Sequence, residues 1–147
     1  VIRPGRPSDA AELRGLAEAF DEELAGAGRP ERVLDAAWAA WLTRRIAAGD
    51  VRVAVDGDRL FGFIVWEARR RDGERFLAVT DLYVRRSERR NRYGGGLLAR
   101  ALDRARSDGL GAVEVAEGLG DEAALALLES YGFTVQGGRL IRPLGAA

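Results

Sequence analysis

Between Asp81 and Gly109 the chain reads DLYV, then RRSERRNRYGGG, then LLARALDRARSDG. An apolar, β-prone run therefore passes through crowded arginines and glycines into a segment with Leu97, Leu98, Ala101, Leu102 and Ala105 on one helical face. A strand, turn and helix of this kind can hold a phosphate group. Free N–H groups and the positive end of the dipole meet the anion at the helix N-terminus, and glycine lets the backbone come close. Basic side chains oppose the dipole there, and Arg85, Arg86, Arg89, Arg90 and Arg92 repel one another unless an anion sits among them. Anion binding explains this turn better than a solvated basic loop does.

The residues that are missing narrow the chemistry further. The 147-residue sequence contains no histidine and no cysteine. Histidine-based triads, ordinary zinc sites and thiolate nucleophiles are thereby excluded. All 23 bases are arginine, which stays protonated and can serve neither as a Schiff-base amine nor as a proton shuttle. Carboxylates, tyrosines, hydroxyls, water and backbone groups are left, which favours a reaction whose reactive group arrives on a cofactor. A formal net charge of zero argues against a dedicated nucleic-acid binder. No apolar run approaches the roughly 20 residues of a membrane span, and no signal peptide is read. The expectation is a cytoplasmic protein of one domain, residues 1–147, with neither membrane nor nucleic acid as partner.

Several elements must position that turn. Val1 to Arg3 reads as a short strand, and Ser8 or Asp9 as the cap of a helix, with Glu12 completing a capping box from Asp9. Leu13, Leu16, Ala17, Phe20 and Leu24 form its stripe. A second helix is expected from Pro30-Glu31, carrying Val33, Leu34, Ala37, Trp38, Trp41, Leu42 and Ile46. Its two tryptophans read as packing against the body, or else as one wall of an acceptor cleft. From Gly49 the period changes to two. Three strands follow, Val51 to Val55, Leu60 to Trp66 and Phe76 to Val84, with Asp56-Gly57-Asp58 and Arg69 to Gly73 as turns. After the Gly94–Asp108 helix come a strand over Ala112 to Ala116, a helix over Asp121 to Tyr131, and a strand or hairpin from Thr134 to Arg142 turning at Gly137-Gly138. The fold class is α/β, a mixed sheet with helices on both faces.

That order, together with the Asp81–Gly109 stretch, resembles the GNAT (N-acetyltransferase) superfamily over nearly the whole chain. The family signature Arg/Gln-x-x-Gly-x-Gly/Ala falls on Arg89-Arg90-Asn91-Arg92-Tyr93-Gly94. A register shifted to Asn91-x-x-Gly94-x-Gly96 loses the helix pattern and the leading arginine. The family's Asn-x-x-Ala-x-x-Leu/Phe-Tyr-x-x-x-Gly-Phe corresponds to Asp121 to Phe133, where Ala124, Leu127, Gly132 and Phe133 match. The resemblance implies a mixed, mostly antiparallel sheet and transfer of an acetyl group from acetyl-CoA to a primary amine of a small molecule or peptide. The alternative is a degenerate, non-catalytic module of the same fold that binds CoA as sensor or scaffold. Many members dimerise, which leaves a homodimer open.

The resemblance also implies roles. The backbone of Arg89, Arg90, Asn91, Arg92, Tyr93, Gly94 and Gly95 would hold the pyrophosphate of CoA, with Arg89 and Arg92 adding charge. Leu82, Tyr83 and Val84 would line the pantetheine arm, and Asp121 and Leu128 would complete the cofactor site. Asp81 is the first candidate to take the acceptor's proton, with Glu67 and Glu114 behind it. Glu22, Glu23, Asp35 and Asp81 could draw a cationic amine. Two positions depart from the pattern. Arg92 stands where the family has a glycine; a positive φ there would strain it by roughly 1 kcal/mol, and an ordinary φ would free its side chain to swing outward or over phosphate. Leu128 stands where many members have a tyrosine that protonates the leaving thiolate; Tyr131, three residues on, either substitutes with its ring turned inward or serves as a core or hinge residue beside Gly132.

Overall fold

A computed structural model describes residues 1–26, 28, 32–116 and 122–145. Its elements in chain order are β1 (Ile2–Pro4), α1 (Ala10–Gly26), α2 (Ala36–Ala47), β2 (Val51–Asp56), β3 (Arg59–Arg71), β4 (Glu74–Val84), α3 (Tyr93–Ser107), β5 (Ala112–Ala116), α4 (Glu122–Ser130), β6 (Thr134–Gln136) and β7 (Arg139–Pro143). Short 3₁₀ turns cover Pro7–Asp9 and Arg86–Asn91. The strands form one sheet in the order β1-β2-β3-β4-β5-β7-β6. Among the described residues only the β4–β5 pairing is parallel, with α3 as its crossover.

Strand alternation sorts the apolar side chains onto two faces. Ile64, Trp66, Leu77, Val79 and Val84 pack with Leu97, Leu98 and Ala101 of α3 and Leu128 of α4. Phe63, Val65 and Tyr83 pack on the other face with Leu13, Leu16 and Phe20 of α1 and Leu42 and Ile46 of α2. The sheet is thus covered by helices on both faces, as expected. Among the described residues no helix is long and apolar enough to cross a membrane.

Three local expectations are corrected. Arg69 to Arg71 belong to β3, because the β3–β4 pairing runs on to Arg71–Glu74. The turn there is only Asp72-Gly73, with φ of 52° and 83°, the pair that a tight two-residue hairpin demands. Asp9 does not form a box with Glu12. Its carboxylate accepts from the Arg6 N–H (2.7 Å) and from Arg3 (2.8 and 3.0 Å), while Glu12 accepts from the Leu60 N–H (3.0 Å). The second helix starts at Ala36, where Asp35 caps it by accepting from the Trp38 N–H (3.0 Å). Val33 and Leu34 precede that helix, and Pro30 and Glu31 lie outside the described residues.

Candidate functional site

The centre of the site is a defect in β4. Val65 of β3 faces Asp81 and Trp66 faces Val79, so Thr80 is an extra residue and the strand bulges there. On the other edge β4 pairs with β5 only over Leu77–Val79 among the described residues, yet β4 continues to Val84. The Arg85 N–H donates to the Phe61 carbonyl of β3 (2.8 Å). Alternation therefore turns the N–H and C=O groups of Leu82 and Val84 the opposite way, toward the side where pairing with β5 has stopped. The Val84 carbonyl accepts there from Arg89 Nε (2.8 Å). The sequence thus presents a row of polar backbone groups beside the arginine turn, able to bond a polar chain laid along the opening.

The turn closes against α3. Arg92 precedes its first residue with φ 62° and ψ 20°, in the left-handed region, and its side chain is exposed. The arginine thus holds the conformation that a glycine would adopt without cost. Tyr93 packs edge-on to Phe61, with ring centroids 4.5 Å apart. The next three glycines serve close packing: a Cβ on Gly94 would lie 3.1 Å from Leu127, one on Gly95 2.5 Å from the Tyr131 hydroxyl, and one on Gly96 2.7 Å from Ile2. Arg90 and Asn91 lie in the 3₁₀ turn. The first turn of α3, whose leading N–H groups have no carbonyl partner within the helix, follows directly.

Arg89 is fixed from three sides. Besides the Val84 carbonyl, its guanidinium stacks over Tyr83 (5.5 Å to the ring centroid) and donates to Glu23 of α1 (2.6 Å). Arg86 Nε donates to the other oxygen of Glu23 (2.9 Å). Burial, and then the nearby Glu23 carboxylate, raise the Tyr83 phenol above its ordinary pKa. Sequence reasoning placed Glu23 among the carboxylates of the acceptor side; its partners are the arginines of the turn.

On the α1–α2 face Asp81 is almost completely buried, at 1% exposure. Its carboxylate accepts from Arg32, one bond being 3.2 Å long. Arg32 Nε also donates to both oxygens of Asp21 (3.0 and 3.1 Å), and its guanidinium lies over Trp38. Burial works against the Arg32 charge, but the bonds to Asp81 and Asp21 outweigh it and raise its pKa. Beside this cluster is an open cleft of about 440 Å³ lined by Arg14, Glu18, Asp21, Glu22, Arg32 and Leu34. Asp35 caps α2 instead. The two weaker base candidates are both committed: Glu67 to Trp41 Nε1 (3.3 Å) and Arg69 (2.8 Å), Glu114 to Arg71 (2.7 Å). Burial opposes the Glu67 charge, yet those bonds hold its carboxyl below the usual range.

Leu128 is buried under the sheet on the α3 side, and half-buried Tyr131 packs against the same cluster with its hydroxyl over Gly95. Asp121 lies outside the described residues. Asp81, Leu82, Tyr83, Val84, Arg89, Arg92, Tyr93, Gly94, Gly95 and Tyr131 are brought around the end of β4 and the start of α3. Sequence reasoning missed Arg32 altogether. Arg32–Asp81 and Glu23–Arg89 join positions 49 and 66 residues apart, and no local pattern marks either pair.

Among the described residues the sheet is mixed, and its fourth strand is bulged and unpaired with the fifth beyond Val79, beside an arginine turn and a helix start; such an arrangement can hold an extended phosphorylated ligand. The profile of the Acetyltransferase (GNAT) family matches residues 13–133, and the chain belongs to that family. No curated protein matches it in sequence. Among solved structures it is similar to a chain of the NatC complex bound to Gag peptide and CoA, at 19% identity and a TM-score of 0.80, covering 99% of this chain and 98% of that one. It is similar to an agmatine N-acetyltransferase variant at 17% identity and a TM-score of 0.78, with 98% and 99% covered. Ard1 from Thermoplasma volcanium gives 17% identity and a TM-score of 0.77, with 99% and 98% covered. At these identities the likeness is one of fold.

Proposed function

We propose that the protein is an acetyl-CoA-dependent N-acetyltransferase that moves the acetyl group directly to a primary amine of a small molecule or peptide. The observation that carries this reading is that, among the described residues, β4 pairs with β5 no further than Val79, with the Leu82 and Val84 backbone turned to that side beside Arg89 and the start of α3. The residues present fit such a donor. Backbone groups at the end of β4 suit the amides of a pantetheine arm, and N–H groups at the α3 start with Arg89 suit a diphosphate. Acetyl-CoA would supply an activated thioester. The Leu82 N–H would donate to the acetyl carbonyl oxygen, where charge develops as the amine attacks.

The acceptor side supports a cationic amine. Glu18, Asp21 and Glu22 line the cleft against Arg14 and Arg32, and Asp81 lies behind them. An ammonium reaching Asp81 would exchange with the Arg32 guanidinium and give up a proton to the carboxylate, directly or through water. The freed amine nitrogen would then bond to the acetyl carbon as the C–S bond breaks; the thiolate would take a proton from Tyr131 or from water, and the second proton released by the nitrogen as the amide forms would restore that donor. With no cysteine or histidine in the sequence, the acetyl group passes straight from sulfur to nitrogen.

A second reading, a CoA-binding module without activity, is favoured by one observation: the position of the usual acid is an aliphatic residue sealed in the core, Leu128. Calorimetry with CoA and acetyl-CoA, followed by thiol release over an amine panel, separates the two. We expect binding and turnover, with Asp81→Asn lowering kcat about 100-fold while CoA affinity holds. No binding of either nucleotide thioester or thiol sinks the donor assignment; binding without thiol release supports the module.

A further inference from the structure

Resting on the donor reading above, the geometry points to Glu23 as a built-in counter-anion of the arginine turn, one that the donor's diphosphate must displace. Glu23 reaches the turn from α1, and each of its oxygens serves a different arginine: Arg86 at 2.9 Å and Arg89 at 2.6 Å. A carboxylate in this position offers what a phosphate oxygen would offer, an acceptor with negative charge, to the same guanidinium donors. It answers the repulsion that the sequence predicts for this turn in the absence of ligand.

Glu23 could instead serve to orient Arg89 for phosphate, and the two roles predict opposite effects. Arg89 has other anchors: the Val84 carbonyl at 2.8 Å and the Tyr83 ring at 5.5 Å. Its direction does not depend on Glu23, so removing the carboxylate leaves the guanidinium in place with its charge uncovered. The pair is also partly exposed, with Glu23 at 27% and Arg89 at 37%, so it exchanges partners readily. An incoming diphosphate competes with Glu23, and in the free protein Glu23 offsets part of the turn's charge at Arg86 and Arg89 until the donor arrives.

The test is calorimetric titration of CoA into wild type, Glu23→Gln and Glu22→Gln, at low and high salt, with thermal melts to show that each variant folds. Glu22 is the neighbouring exposed carboxylate, so its variant makes the same change in net charge. The expected result is a roughly three- to fivefold lower Kd for Glu23→Gln at low salt, shrinking at high salt, with Glu22→Gln close to wild type. Unchanged or weaker binding by Glu23→Gln, or equal tightening by Glu22→Gln, overturns the inference while leaving the donor reading intact. Loss of CoA binding in wild type and both variants overturns the donor reading itself, and the counter-anion role with it. Glu23→Ala stands in if the glutamine variant does not fold.

Discussion

Arg92 concentrates the cost of this site in one residue. At φ 62° and ψ 20° its Cβ crowds the following carbonyl, a penalty of about 1 kcal/mol that glycine escapes. Glycine gives part of that back through the freedom it gains in the unfolded chain. Arg92→Gly should therefore raise stability by up to about 1 kcal/mol in urea unfolding, with the slope unchanged. Because the side chain is exposed, CoA affinity should stay within about threefold; a tenfold loss would assign the guanidinium to phosphate instead. The family glycine at this position raised a left-handed backbone as one of two alternatives, and the structure takes that one. The ion pairs were not readable, since a charge shows its partner only after the chain has folded. Glu23 sits two positions from Asp21 on α1, yet one meets the arginine turn and the other meets Arg32.

Elements explain why the glycine run follows that arginine. Gly94, Gly95 and Gly96 have helical backbones, so they are required by what lies above them. The contact between Gly95 and the Tyr131 hydroxyl locks the end of α4 onto the first turn of α3. Gly95→Ala should gain about 1 kcal/mol in helix propensity and lose more to overpacking, for a net cost of about 1–2 kcal/mol. Adding Tyr131→Phe removes the nearest atom and should recover most of it, as a double-mutant cycle would show. A neutral Gly95→Ala would mean that Tyr131 swings aside freely, which would weaken its claim to a defined place beside the donor. Element order, the α3 stripe and the Gly137-Gly138 hairpin were legible because each is a local periodic or turn signal. The length of β3 and β4 was not, because Arg69 to Arg71 look like a loop until pairing with Glu74 to Phe76 carries them into the sheet.

At the scale of the molecule the two functional faces share one wall. Ile64 and Trp66 support the cluster beneath α3, while Phe63 and Val65, their neighbours in the same strand, support the cluster beneath α1. The end of β4 is divided in the same way, with Val84 on the donor side and Tyr83 on the α1 side. A single layer cannot lose one covering and keep the other side ordered, so residues 1–147 are expected to unfold as one unit. Leu98→Ala and Leu16→Ala remove fully buried side chains from opposite faces, and each should cost about 2–5 kcal/mol. In both variants tryptophan fluorescence and far-UV circular dichroism should report coincident transitions at a lowered midpoint. Saturating CoA should raise that midpoint in both, since a ligand that binds only the folded form stabilises the whole of it. Separate transitions, or a CoA shift seen for one face only, would show that the faces fold independently and that the sheet does not couple them.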